Sequence, residues 1–232
     1  MKKVSSHNKL ILLIGIVVLF TGCASVQEPI SVNQSIYQDG SANRIAVIMT
    51  PLPEPDLAFP GADCLLCLVT AEALHTSLSD HAEGLDGSEF KLSKTHLADR
   101  LRDKGVDAVV VDEPLVLREL PKVKSSSENS VGRDFSALAE AHNVDYVLVI
   151  SVSAYGFNRE FASYIPTSEP MAVFKGKGFM VDPKTNTYVW YRPFDMAMGV
   201  EGEWDQPPEF PKLTNAFYQV VAEARDAVLA EF

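Results

Sequence analysis

Two of the chain's three cysteines, Cys64 and Cys67, lie three residues apart in the stretch PGADCLLCLVTAEAL, which reads as the start of a helix. That spacing admits three kinds of chemistry. At a helix N-terminus the dipole favours a thiolate, as thiol–disulfide exchange requires. Residues i and i+3 also sit close enough for a bridge, strained over so short a loop. Two thiolates are, in addition, half of a tetrahedral zinc site. The flanks rank these options. No His-x-His spacing accompanies the pair, the intervening residues are Leu65 and Leu66, and both cysteines continue the apolar stripe of Leu68, Ala71 and Leu78. Core packing or a structural disulfide therefore comes first, turning both side chains inward, with redox and metal chemistry behind it. His75, Asp80 and His81 carry little more, because a spacing of six puts the two imidazoles on different helix faces. Ser151 and Ser153 lie in strand sequence without a nucleophile elbow, and no Gly-rich phosphate loop follows any strand. Acid pairs such as Glu160 with Glu169 and Glu201 with Glu203 read as solvated surface in so acidic a chain. The expectation is of no catalytic residue, no metal and no cofactor.

The third cysteine, Cys23, has a different setting. Lys2, Lys3 and Lys9 precede an unbroken apolar run over residues 10–20, followed by Thr21, Gly22 and Cys23. This is the layout of a signal peptide. The run is shorter than the ~20 residues a permanent span needs. The junction Leu19-Phe20-Thr21-Gly22-Cys23 resembles a bacterial lipobox, with Phe20 where Leu is usual. The resemblance implies cleavage before Cys23, diacylglycerol on its thiol and an acyl chain such as palmitate on the new amino terminus. At ~0.8 kcal/mol per buried methylene, several chains would hold a domain at a membrane. Ala24 replaces the Asp that signals retention in the inner membrane, so the implied address is the outer membrane, facing the periplasm. Losing the leader takes the net charge from −11 to −14, which argues against nucleic acid as a partner and against electrostatic docking on anionic lipid.

The remaining chain is the length of one domain. Residues 1–22 are the expected leader, and residues 23–43, polar and aperiodic, read as a flexible tether, with an N-terminal strand through Ile30, Val32 and Ile36 as the alternative. Residues 44–232 are expected to form a single α/β domain. IAVIM from Ile45 is a short unalternating strand, of the type covered on both faces. A helix is expected over residues 63–82, with Leu68, Ala71, Leu74 and Leu78 at helical spacing. Ser93 reads as a cap for the next helix and Gly105 as its stop. VDAVVVDE gives a second strand, FSALAEAHN a short helix behind Asp134, and VDYVLVISVSAYGF the longest apolar strand. Two extended runs then flank a turn at residues 182–186, and Gly176 and Gly178 share one face of the first, as a close-packed helix or a bend would require. Leu213, Phe217, Val220, Val221, Ala224 and Val228 form the stripe of a final helix that must lie on the sheet. The element order predicts one mixed sheet, parallel strands with helical crossovers first and an antiparallel meander last.

Within that order, AEAHNVDYVLVISVSAYG followed by FKGKGFMVDPKTNTYVWY is similar to a pattern in several periplasmic domains. They include the curli-pore lipoprotein, the lipoprotein activator of penicillin-binding proteins and the N-terminal domain of the Tol translocation protein. The counterparts are Asp145, Tyr146, Val147 and Leu148, then Asp182, Lys184, Thr185 and Trp190, with Asn186 where those families usually have Gly. These are fold markers. They imply a non-enzymatic module that binds, assembles with or regulates envelope machinery, or forms a homo-oligomer. The pore activity is not implied, because no pair of long amphipathic hairpins is present in the sequence.

Two stretches are candidates to meet a partner: the first turn of the Cys64 helix, where Leu65, Leu66 and Val69 flank the cysteines, with burial under the Pro-rich loop as the alternative, and the aromatics Tyr155, Phe157, Phe161 and Tyr164 of the loop YGFNREFASYIPTSEP, with packing against the sheet edge as an equal alternative. The alternative of another class is a membrane-tethered thioredoxin-like thiol–disulfide oxidoreductase using Cys64 and Cys67, with Pro166 or Pro170 preceding the antiparallel pair.

Overall fold

A computed structural model describes residues 27–38, 43–124 and 128–232. The leader and Cys23 lie outside these residues. The first strand, β1 (Arg44–Met49), is rich in β-branched residues and buried from Ile45 to Met49, those side chains alternating between two cores. It pairs in parallel with β3 (Asp107–Val110) on one edge and with β4 (Tyr146–Asn158) on the other. Past the end of β1 the chain runs through prolines to β2 (Asp56–Ala58), which pairs in parallel with the far end of β4. A small two-stranded sheet, β5 (Phe161–Ala162) and β6 (Ile165–Pro166), follows β4. The antiparallel strands β7 (Met171–Asp182) and β8 (Thr187–Met198) complete the main sheet in the order β3-β1-β4-β7-β8. The mixed α/β sheet is as expected.

Six helices accompany it among the described residues: α1 (Ser35–Gln38), α2 (Leu65–Leu74), α3 (Thr76–Glu83), α4 (Leu92–Asp103), α5 (Ser136–His142) and α6 (Pro211–Leu229). The larger core lies between one sheet face and α2, α3, α4 and α6; the whole predicted stripe of α6 is buried there. The smaller core lies on the other face, under α5 and the segment that precedes it.

Several expectations need correction. Of the residues expected to be a flexible tether, those described from Gln27 to Gln38 are docked: Ile30 exchanges backbone hydrogen bonds with Tyr191 on the outer edge of β8, and Ile36 joins the larger core. An apolar residue every few positions was enough to pin a polar segment. The helix expected over 63–82 breaks at His75; Leu74, the last residue of α2, is exposed, while Leu78, in the next helix, is buried. Ser93 is the second residue of α4, behind a short 3-10 turn over Ser88–Lys91, and is fully buried.

β4 changes face partway along. A bulge between Val152 and Ala154 leaves Leu148, Ile150 and Val152 in the larger core, then puts the odd-numbered Tyr155 and Phe157 there too. Gly156, at φ +128°, lies against β2 so closely that an added Cβ would stand 2.1 Å from the Asp56 carbonyl oxygen.

The glycines on β7 admit aromatic rings from β8. A Cβ on Gly178 would lie 2.4 Å from the indole of Trp190, which is fully buried with Phe232 edge-on at 4.8 Å. Gly178→Ala is therefore expected to destabilise the domain by about 1–3 kcal/mol through overpacking. Gly199→Ala, where nothing lies within 4 Å of the new methyl, is expected to change stability by about 0.5 kcal/mol or less. Urea denaturation of the two variants checks the contrast.

Candidate interaction surface

The sheet has two ends. At the lower end the parallel strands begin, at Arg44, Asp107 and Tyr146, and the β7–β8 hairpin turns. At the upper end β4 reaches Asn158, and β2, the β5–β6 hairpin and the start of α2 cluster around it. In a doubly wound sheet, ligands bind outside the carboxyl ends of the strands where the strand order reverses. That point lies here between β1 and β4, and the chain's own segment fills it. Thr50 donates its backbone N–H to Ile150, and β2 then takes the β4 edge that β1 leaves.

The candidate side chains are concentrated at the upper end. Cys64 is the N-cap of α2, with an extended backbone and its Sγ accepting the Cys67 N–H at 3.0 Å, so sulfur takes the place usually held by a serine or aspartate oxygen. Cys64 and Cys67 form a disulfide. Only Cys67 turns into the core; Cys64 is exposed, a correction to the expectation that both face inward. Against a thioredoxin-like arrangement, the third long strand, β4, joins parallel to β1, and β2 intervenes between β1 and the cysteine helix.

The buried side chains of α2 are those of Cys67 and Ala71. Its other apolar residues face solvent: Leu65 is 82% exposed, Leu66 76%, Val69 51% and Leu74 68%. Tyr164 and Ile165, on the β5–β6 hairpin at the same end, are also more than half exposed. Beside this patch an open groove of about 710 Å³ runs between β2 and the two helices, lined by Leu68 and Val69 and rimmed by Asp56, Glu72 and Glu83.

The expected aromatic surface is reduced to Tyr164. Tyr155, Phe157 and Phe161 are buried. Tyr155 packs on Phe174 and Phe217, Phe157 stacks with His81, and Phe161 stands edge-on to Phe59 and His75. The bulge in β4 accounts for the first two, and nothing in the amino-acid pattern announces it.

The two histidines fasten helices. His75 is buried, its Nδ1 hydrogen-bonded to the Ala71 carbonyl at 2.7 Å and its Nε2 meeting the guanidinium of Arg159. Arg159 also lies over the Trp204 ring. Burial lowers its pKa against the opposing carboxylates of Asp205 and Glu169. Sequence reasoning missed this arginine, because its partners arrive from loops distant in the chain. His81 Nε2 lies 2.8 Å from the Thr214 hydroxyl on α6. Among the described residues no group of three or more His, Cys, Asp or Glu is placed to hold a metal. No described helix is long and apolar enough to cross a membrane.

No protein-family model matches the chain, and no curated protein does. Solved structures similar to it include protein XCC0632 from Xanthomonas campestris, 13% identical, covering 90% of this chain and 96% of that one at a TM-score of 0.37. Lipoprotein GNA1162 from Neisseria meningitidis is 15% identical, covering 78% and 99% at 0.34. The PelC dodecamer from Paraburkholderia phytofirmans is 10% identical, covering 84% and 93% at 0.29. Likenesses this distant leave the function to be argued from the chain itself.

Burial depresses the pKa of His81 below its ordinary 6.5, with the Glu209 carboxylate opposing. A histidine held neutral by burial binds fewer protons folded than unfolded, so its contribution is intact above 6.5 and is lost as pH falls through the window below it. The wild-type chain is thus expected to be less stable at pH 5.5 than at pH 7.5, with a shallower loss in His81→Gln. Urea midpoints of both proteins across that range measure the difference.

Proposed function

We infer that this chain is a lipid-anchored envelope lipoprotein that binds a protein partner through the apolar upper end of its domain and catalyses no reaction. The carrying observation is the α2 patch. Large aliphatic side chains on successive turns of one helix, more than half exposed, lose free energy to water unless something covers them. The bilayer is a poor candidate for that cover. The described chain begins four residues after Cys23 and is pinned near the lower end, through Gln27 to Asn129 and Ile30 to Tyr191. An anchor at Cys23 therefore leaves α2 facing away from the membrane.

The acidic rim narrows the partner's chemistry. Asp56, Glu72 and Glu83 beside Leu68 and Val69 favour a protein segment with apolar side chains flanked by lysine or arginine. The self-filled crevice between β1 and β4 supports a binding role over a catalytic one. Localisation in the outer membrane, facing the periplasm, rests on the lipobox resemblance and on Ala24.

A second reading is favoured by one observation: the exposed Cys64 at a helix N-terminus, bridged to the buried Cys67, has the asymmetry of a thiol–disulfide exchange centre. Crosslinking in intact envelopes separates the two. The combined variant Leu65→Ser, Leu66→Ser and Val69→Ser is expected to keep its denaturation midpoint and lose the partner adduct, while Cys64→Ala with Cys67→Ala retains it. An adduct that survives the serine variant and disappears with the cysteines would support exchange chemistry instead. An adduct of twice the protein's own mass would identify the partner as a second copy.

A further inference from the structure

We propose that the lower end of the domain docks directly on the bilayer surface, with the cleft between α5, the β7–β8 hairpin and the strand starts lying over the lipid headgroups. This rests on the lipid anchor at Cys23 inferred above. From Cys23 to Gln27 the chain spans four residues, at most about 14 Å when fully extended. Gln27 is not free to move from the domain. Its side-chain amide donates to the Asn129 side chain at 3.0 Å, and three residues later Ile30 exchanges two backbone hydrogen bonds with Tyr191. Asn129 in turn accepts the Tyr188 N–H, and Ser130 bridges Thr187 beside the hairpin. The anchor is thereby tied to the lower end by a leash shorter than half the domain's length. β4 alone, from Val147 to Asn158, extends about 35 Å at ~3.3 Å per residue.

The chemistry of that end suits a surface of phosphate and amine groups. The chain as a whole is acidic, yet Arg44 and Lys184 line a cleft of about 540 Å³ together with Asp107, Glu140 and Asp145. Arg44 is held in place by its ion pair with Asp107 at 3.2 Å and by its backbone N–H to Asp145 at 3.0 Å. Lys184 stands exposed on the hairpin rim. Cations and carboxylates side by side match a zwitterionic headgroup, whose phosphate and ammonium need partners of opposite sign. Docking on such lipids needs no net positive charge, which the domain lacks.

The test uses the full, lipidated chain. With Cys23 acylated and Cys64 bridged to Cys67, a cysteine introduced at Thr185, exposed on the same hairpin, or at Tyr164 is the single thiol available for a fluorophore. Each labelled protein is placed in vesicles of the zwitterionic lipids phosphatidylcholine and phosphatidylethanolamine, three to one, containing a headgroup-attached quencher. The expected result is loss of fluorescence from the Thr185→Cys label and none from the Tyr164→Cys label. A protein that carries lipid and floats with the vesicles but shows equal quenching at both positions, or none at Thr185→Cys, would overturn the docking and leave the anchor standing. A protein found without lipid and absent from the vesicles would remove the anchor, and the docking with it.

Discussion

The fold depends on the ladder made by β4. One edge of this strand carries β1 along its first half and β2 along its second, both parallel; the other edge carries β7 antiparallel over its full length. Its side chains feed both cores, and the bulge at Val152 and Ala154 keeps the larger core supplied after the chain changes phase. The strand consequently fixes the distance between the two ends of the molecule. It also decides which groups each end presents: charged strand starts and a hairpin below, an apolar helix and a small sheet above.

That polarity gives the functional reading its physical form. A domain with a central ligand site would keep the crevice at the strand reversal open. Here residues 50–58 occupy it with backbone and proline-rich sequence, and the unsatisfied surface is displaced to the periphery on α2. The disulfide contributes locally. A bridge across so few residues removes little entropy from the unfolded chain; it joins the N-cap to the one buried cysteine of the helix. Leu65 and Leu66 project because Cys67 and Ala71 occupy the buried face, and at 3.6 residues per turn both leucines fall well away from it.

Much of the architecture was legible because it rests on short-range patterns. The unalternating IAVIM strand, the stripe of α6 and the turn around Asn186, which does adopt positive φ, follow from periodicity and side-chain sterics. What was not legible depends on long-range partners. Tyr155 and Phe157 read as loop aromatics, since a bulge has no sequence signature of its own. Ile30 and Ile36 entered the sequence reading only as the alternative of an N-terminal strand, because their docking sites, Tyr191 and the larger core, are supplied by distant segments. Arg159 meets His75 and Trp204 only once β4, α2 and the last loop are assembled. Of the exposed apolar side chains at the upper end, Leu65, Leu66, Val69 and Tyr164 were singled out from sequence, whereas Leu74 was expected to face inward.

The proposed role rests on acylation of Cys23, since an anchor there would place the domain in the envelope and turn α2 away from the membrane. Mass spectrometry of the N-terminal peptide from envelope-purified protein tests it most directly. The account predicts a peptide that begins at Cys23 and carries a diacylglyceryl thioether and an amide-linked acyl chain; an unmodified thiol with the leader still attached would contradict it.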